Sequence, residues 1–299
     1  VYDNLSTGHR AALSPGAAFV EGDIRDSDRL REVCSRTAID TVLHFAAFIV
    51  VGESCEDPAR YFENNVAGAL NVLRAMKETG IHRFIFSSTA AVYGHPDQVP
   101  IAETAPIRPL NPYGITKRMI EQALEWYGRA YDLRAVVLRY FNAAGASAAY
   151  GEAHAPETHL LPNVLRAAQG LQKEVVVFGE DYDTPDGTCI RDYIHVEDLI
   201  DAHLRAMAYL RRGGDSDIFN LGNSVGHSVL EVIRAVESVT GAKVPVRMAP
   251  RRAGDADRLI ASSQKARDIL GWRPQKSAVD VIVRDAWHWD QAHPDGYPS

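Results

Sequence analysis

Tyr113 and Lys117 stand four residues apart in the stretch Asn111-Pro112-Tyr113-Gly114-Ile115-Thr116-Lys117. On a helix that spacing puts both side chains on one face, about one turn apart. A phenol is a poor base at neutral pH, with an unperturbed pKa of about 10. A neighbouring ammonium favours the phenolate and lowers that value, so the pair could accept a proton from an alcohol. A hydroxyl is also at hand. The apolar run Arg83-Phe84-Ile85-Phe86 ends in Ser87-Ser88-Thr89, and Thr89 lies 24 positions before Tyr113. Taken alone, Tyr-x-x-x-Lys describes an ordinary helix with a half-buried tyrosine and a surface lysine. The upstream hydroxyls make a Ser/Thr–Tyr–Lys triad out of it.

These groups need elements to hold them. Pro112 suits the first turn of a helix, and Met119, Ile120, Ala123, Leu124 and Tyr127 recur at helical spacing. The run 83–89 reads as a buried parallel strand bringing Ser88 and Thr89 to its carboxyl end, where open α/β sheets bind ligands. Further strands are expected at 18–24, 41–47 and 135–142, and helices at 28–34 and 57–79. Asp3 follows the end of a strand, where dinucleotide folds place an acid for the adenosine ribose. Small residues at Ala46 and Ala47 would admit a dinucleotide backbone. Asn64 and Asn65 need partners if helix 57–79 buries them. Asn142 could hold a diphosphate or sugar. Strand–helix alternation predicts an α/β fold with a doubly wound, Rossmann-like parallel sheet. The loop-like segment 145–156 divides the chain into a dinucleotide-binding domain (1–145) and a smaller α/β substrate-binding domain (146–299). In the second part Arg191 could make charge-assisted bonds to a phosphate, and Arg251-Arg252 adds positive charge beside Asp255.

The whole-chain totals narrow the partners. With 46% hydrophobic and 24% charged residues the composition is that of a soluble globular protein. A net charge of −7 argues against nucleic acid or an anionic membrane as main partner. No run approaches the ~18 apolar residues of a membrane span. Three cysteines, Cys34, Cys55 and Cys189, show no metal spacing. They suggest a reducing compartment, the cytoplasm, and no metal site is expected.

Five motifs occur in order: Ser-Ser-Thr at 87–89, Tyr-x-x-x-Lys at 113–117, Arg-Tyr-Phe-Asn at 139–142, Arg-Asp-Tyr-Ile-His-Val at 191–196 and Arg-Arg-x-Gly-Asp at 251–255. In that combination the chain resembles the extended short-chain dehydrogenase/reductase family, and within it the UDP-glucose 4-epimerases. The resemblance implies NAD as cofactor, held by Asp3, Asn4, Asp23, Ile24, Phe45, Ala46, Ala47, Asn64, Ser87, Ser88, Tyr113, Lys117 and Tyr140, with Ile24 packed on the adenine. It implies a UDP-sugar held by Thr89, Asn142, His159, Leu160, Val176, Phe178, Arg191, Tyr193, Arg252, Asp255 and Leu259. Arg252 would clamp the diphosphate and Asp255 the uridine ribose. Tyr113, Lys117 and Thr89 would be catalytic, and helices 57–79 and 112–131 would bundle across a homodimer. A 4,6-dehydratase would need an acid–base pair after the hydroxyl, and Ala90-Ala91 argues against one. A 4-epimerase of another UDP-sugar (an N-acetylhexosamine, uronate or pentose) stays open. So does a non-catalytic NAD-binding scaffold on the same fold, although the presence of both Tyr113 and Lys117 favours an enzyme.

Three departures from the family stand out. Its glycine-rich pyrophosphate turn is not found, since Gly8, Gly16 and Gly22 have the wrong spacing. The expectation is that the sequence starts part-way into a longer chain, and that as it stands it binds NAD weakly and turns over little. Ile49 stands where many members carry a phosphate-reaching lysine. Leu259 stands where some carry a bulky tyrosine beside the sugar 2-position, leaving partial room for an N-acetyl group.

Overall fold

The computed structural model describes residues 1–252 and 255–298. Four parallel strands, in the order Val42–His44, Arg83–Thr89, Arg134–Tyr140 and Asp217–Leu221, form the sheet under the triad. Phe84, Phe86, Ala135 and Val137 turn to one face, against the helices Gly68–Thr79 and Pro112–Tyr131. Ile85, Val136 and Leu138 meet helix Val196–Arg211 on the other. Burial on both faces explains why the strands read as unbroken apolar runs. The pair Tyr2–Asp3 and Val20–Glu21 forms a separate two-stranded parallel sheet, and Tyr2, Ile24 and Leu30 pack into the same first core.

Two expectations need amendment. The helix predicted over 57–79 is Pro58–Tyr61, a wider π turn at Phe62–Ala67, and Gly68–Thr79. π turns mark positions where side chains need re-aiming. Here Asn65 accepts from the Phe48 N–H at 2.8 Å and donates to the Phe48 carbonyl at 2.9 Å and to Thr116 Oγ1 at 3.3 Å. The division near residue 145 marks where the chain leaves the sheet, at strand Asn142–Ala144, which pairs with Ile190–His195 in a second sheet. Helix Val196–Arg211 and strand Asp217–Leu221 then return and cover the far edge of Arg134–Tyr140. An edge left open there would expose unpaired backbone groups, so 196–221 packs with the first part.

Most of the 191–196 motif is architecture. Asp192 accepts N–H groups from Asn223 at 2.6 Å and from Ser224 and Ala261 at 3.0 Å. His195 Nδ1 caps helix Val196–Arg211 by accepting from Glu197 N at 3.1 Å. Asp198 gathers the Gln275 and Lys276 amides and the Ser277 hydroxyl, and Trp272 donates to its carbonyl.

One buried network joins helix Pro112–Tyr131 to the sheet. Arg139 donates to both Glu121 oxygens at 2.9 and 2.7 Å, and Ser88 donates to Glu121 Oε1 at 2.7 Å. A third Arg139 nitrogen donates to the Tyr93 hydroxyl, which donates to Asn220, both at 2.7 Å. Removing one partner of such a pair strands a buried charge, at a cost of about 3–5 kcal/mol. Arg139→Met should therefore lower unfolding free energy in urea by about that amount. Arg129→Ala, which breaks the exposed Arg129–Glu125 pair, should leave the midpoint almost unchanged. Equal effects of the two substitutions would contradict the structure.

Candidate active site

Local contacts aim the two motifs at each other. Asn111 caps helix Pro112–Tyr131 by accepting from Gly114 N at 2.9 Å. A Cβ on Gly114 would sit 2.8 Å from the Ala91 carbonyl, so glycine lets the helix start lie against the turn that follows Thr89. Half-buried Tyr113 is thereby brought beside Thr89. Thr89 Oγ1 accepts from Ala91 N at 3.1 Å. Lys117 is 2% exposed. Its ammonium donates to the Ser87 carbonyl at 2.8 Å and lies 5.9 Å from the centroid of the Tyr113 ring. The three expected catalytic groups therefore converge at the carboxyl ends of the central strands.

Their electrostatics differ from the expectation. Burial raises the Tyr113 pKa above its ordinary value, and the Thr89 hydroxyl opposes this only in part. Burial also drives Lys117 down to about 7, against the attraction of Glu121. His44, stacked on Phe84 and Phe86, is pushed down to about 3 by burial first and by Lys117 second. A one-dimensional spacing shows that charges are near but not how much water they have lost.

Ser88 is a second correction. It faces away from Thr89, and its hydroxyl is 2% exposed and committed to Glu121, so it positions the helix instead of touching a cofactor. Strand alternation dictates this. Ser87 offers its carbonyl to Lys117. His203 Nδ1 donates to the Leu199 carbonyl, so its Nε2 accepts from the Tyr140 hydroxyl. Phe45 stacks on His203 at 4.9 Å. Ala46 packs on the first core and Ala47 is partly covered.

At the far end Asp3 accepts from Leu5 N, and Asn4 donates to Asp23 at 2.9 Å. Arg25 grips Asp23 and holds its carboxyl well below the usual range. The Ile24 side chain lies mostly in the core against Gly68. Asn64 is buried and donates to Asn65.

Of the expected nucleotide residues, Phe178, Arg191, Arg252 and Asp255 gather, and all but one of the set are at least partly exposed. Val176 and Phe178 alternate with the core residues Val175 and Val177. The Arg252 guanidinium lies 4.7 Å over the Phe178 ring and donates to Asp255. Arg191 lies 3.7 Å from Asp255 and is tethered to the Ala256 carbonyl at 2.8 Å. Gly254 of that motif is outside the described residues. Asn142 donates to the Asp192 carbonyl. His159 precedes helix Leu160–Ala168 and pairs with Glu157. Leu259 packs on the cluster of Val92, Tyr93 and Ile101. The exception is Tyr193, whose ring is buried in the second core.

Sequence reading missed the roles of Glu121, Arg139 and His203. Two left a trace. Glu121 follows Lys117 by four, on the same face, and Arg139 interrupts a Val-Val-Leu strand. The residues present suit NAD. Lys117 has three N–H donors, and only one is used by a described residue.

A family model described as the NAD dependent epimerase/dehydratase family matches residues 1–222. A UDP-glucose 4-epimerase of Streptococcus mutans is 51% identical over 300 residues, covering 99% of this chain and 90% of that protein. A crystal structure of a UDP-glucose 4-epimerase superposes with a TM-score of 0.97 at 51% identity, over 100% of this chain and 91% of that one. A Bifidobacterium longum UDP-glucose 4-epimerase, solved with NAD+ and UDP, gives 0.93 at 37% identity, over 99% and 91%.

The Lys117 shift has a testable sign. Its folded pKa of about 7 lies below the ordinary 10.5, so between those values the unfolded chain binds more protons. Stability should then rise with pH from 7 upward. The urea midpoint of the native sequence should climb between pH 7 and 9.5 relative to that of Lys117→Met. Parallel pH profiles would contradict the assignment.

Proposed function

This chain belongs to the NAD dependent epimerase/dehydratase family, and from that premise we propose that it interconverts UDP-glucose and UDP-galactose by oxidising and re-reducing sugar C4. One observation carries the reading: Tyr113 and Thr89 come together beside a buried Lys117 at the strand ends. The relatives of like name support it.

NAD, when bound, supplies a hydride acceptor and donor that is cationic when oxidised. The residues that would hold it are Asp3, Asn4 and Asp23 at the adenosine end, with Phe45, Ala46, Ala47, Ser87, Lys117 and Tyr140 at the nicotinamide end. Tyr113 takes the proton of the C4 hydroxyl as that carbon gives up its hydride, and returns it when the 4-ketose is reduced on its other face. Thr89 holds the C4 oxygen through both half-reactions and steadies the phenol. Lys117 spends its free N–H donors on ribose hydroxyls. Burial keeps the phenol protonated until positive charge enters beside it. The sugar must turn over between the half-reactions, so binding has to come from the nucleotide. Phe178, Arg191, Arg252 and Asp255 are placed to provide it, with Asn142, His159, Leu160 and Val176 along the approach.

A homodimer is part of the proposal, supported by Ile115, Met119 and Trp126, exposed along helix Pro112–Tyr131. So is a cytoplasmic location, supported by three cysteines without disulfides. No described helix is long and apolar enough to cross a membrane.

With NAD and UDP-galactose, Tyr113→Phe should lower kcat by about 10²–10⁴-fold and leave UDP affinity intact. Loss of no more than a few-fold would refute the assigned base. Leu259 packs on the cluster of Val92, Tyr93 and Ile101, and a leucine there is smaller than a tyrosine, which would leave room beside the sugar. UDP-N-acetylgalactosamine should be turned over, and Leu259→Tyr should depress that rate more than the UDP-galactose rate. No turnover of the N-acetyl sugar by the native sequence would count against the room inferred here.

A further inference from the structure

Two groups of metal-ligating side chains lie close together among the described residues. In the first, His195, Glu197 and Asp285, the geometry speaks against an ion. His195 Nδ1 accepts the Glu197 N–H at 3.1 Å, and Nε2 lies 3.2 Å from Asp285 Oδ2 without forming a hydrogen bond. One nitrogen is taken, and the group holds a single imidazole.

The second group differs. Glu152, His154, Glu157 and His159 each offer one donor atom, and the four atoms lie within 4.8 Å of one another. Each imidazole sets Nδ1 against a carboxylate: His154 on Glu152, and His159 on Glu157 at 2.8 Å. The rings are 5.4 Å apart. Glu157 Oε1 also accepts the Thr158 and His159 amides at 2.7 Å. Its Oε2 has no hydrogen-bond partner among the described residues, although the side chain is only 9% exposed. Two carboxylates therefore face two imidazoles in a partly covered place.

We propose that Glu152, His154, Glu157 and His159 form a binding site for a divalent cation of the zinc class. Two imidazole nitrogens and two carboxylate oxygens match the donor types and number of a closed tetrahedral zinc site. Bond lengths of about 2.0–2.2 Å would put neighbouring donors roughly 3.4 Å apart, so closing the present set takes side-chain movements on the order of an ångström. The ion replaces the protons that now join each imidazole to its glutamate. It also neutralises carboxylate charge that these hydrogen bonds meet only in part. The consequence is mechanical. The segment is already tied to distant parts of the chain, by His9 on the Ala153 carbonyl at 2.8 Å and by Tyr297 on the Gly151 amide at 3.0 Å. A metal would fix it against the start of helix Leu160–Ala168. The inference does not depend on the proposed sugar chemistry.

The test uses the untagged full chain after chelator treatment, titrated with Zn2+ by calorimetry and with Co2+ by absorption. One equivalent of Zn2+ should bind and raise the Tm. Co2+ should show the d–d bands of tetrahedral nitrogen and oxygen ligation without a thiolate charge-transfer band. His154→Ala and Glu157→Gln should each weaken binding at least about 10-fold, while His154→Ala keeps the metal-free Tm. If His154→Ala lowers that Tm, Glu152→Gln, which keeps the side-chain shape, carries the same comparison. No Zn2+ binding, binding unchanged in the variants, or a thiolate band that places the ion on a cysteine such as exposed Cys55 would each overturn the proposal.

Discussion

A carboxylate and a guanidinium almost cut off from water hold helix Pro112–Tyr131 against the central sheet. Burying Glu121 and Arg139 carries a desolvation penalty that is offset only if nearly every donor and acceptor finds a partner. Ser88, Tyr93 and Asn220 provide those partners. A shift of the helix by one residue would break several of these bonds at once. The helix therefore has one register on the strands. Its first turn inherits that register, and with it Tyr113 lies over Thr89 and Lys117 under Ser87.

This placement leaves chemistry unfinished. Lys117 is buried with one backbone acceptor, and the phenol above it is pushed toward its protonated form. Groups perturbed by lost water at a sheet's carboxyl edge are what a functional site looks like before its ligands arrive. Both perturbations point the same way: the site favours added positive charge near the phenol and added acceptors near the lysine. Other buried carboxylates are well supplied with partners. Asp192 collects three backbone amides and Asp198 ties down residues 275–277.

Much of this was legible in one dimension. The strand at 83–89 and the helix at 112–131 have the ends that their sequences announce, because a hydroxyl cluster and an Asn-Pro cap mark them. The convergence of Thr89, Tyr113 and Lys117 follows from those two elements. What was not legible depends on facing and on solvent. Ser88 is adjacent to Thr89 in sequence but opposite to it in the strand. Tyr193 looks like a lining residue until packing places it in the second core. The return of Asp217–Leu221 to the first sheet is a long-range pairing that no local pattern encodes. The direction of the Tyr113 shift required knowing how deeply the phenol itself lies.

The central claim is that Tyr113 moves only an oxygen-bound proton while the hydrogen on C4 travels as hydride and never meets water. Turnover of UDP-galactose by the NAD-loaded protein in heavy water tests this most directly, with the product read by NMR. The account predicts UDP-glucose with no deuterium at C4. Deuterium appearing at C4 in step with epimerisation would mean that a proton leaves carbon, and would contradict it.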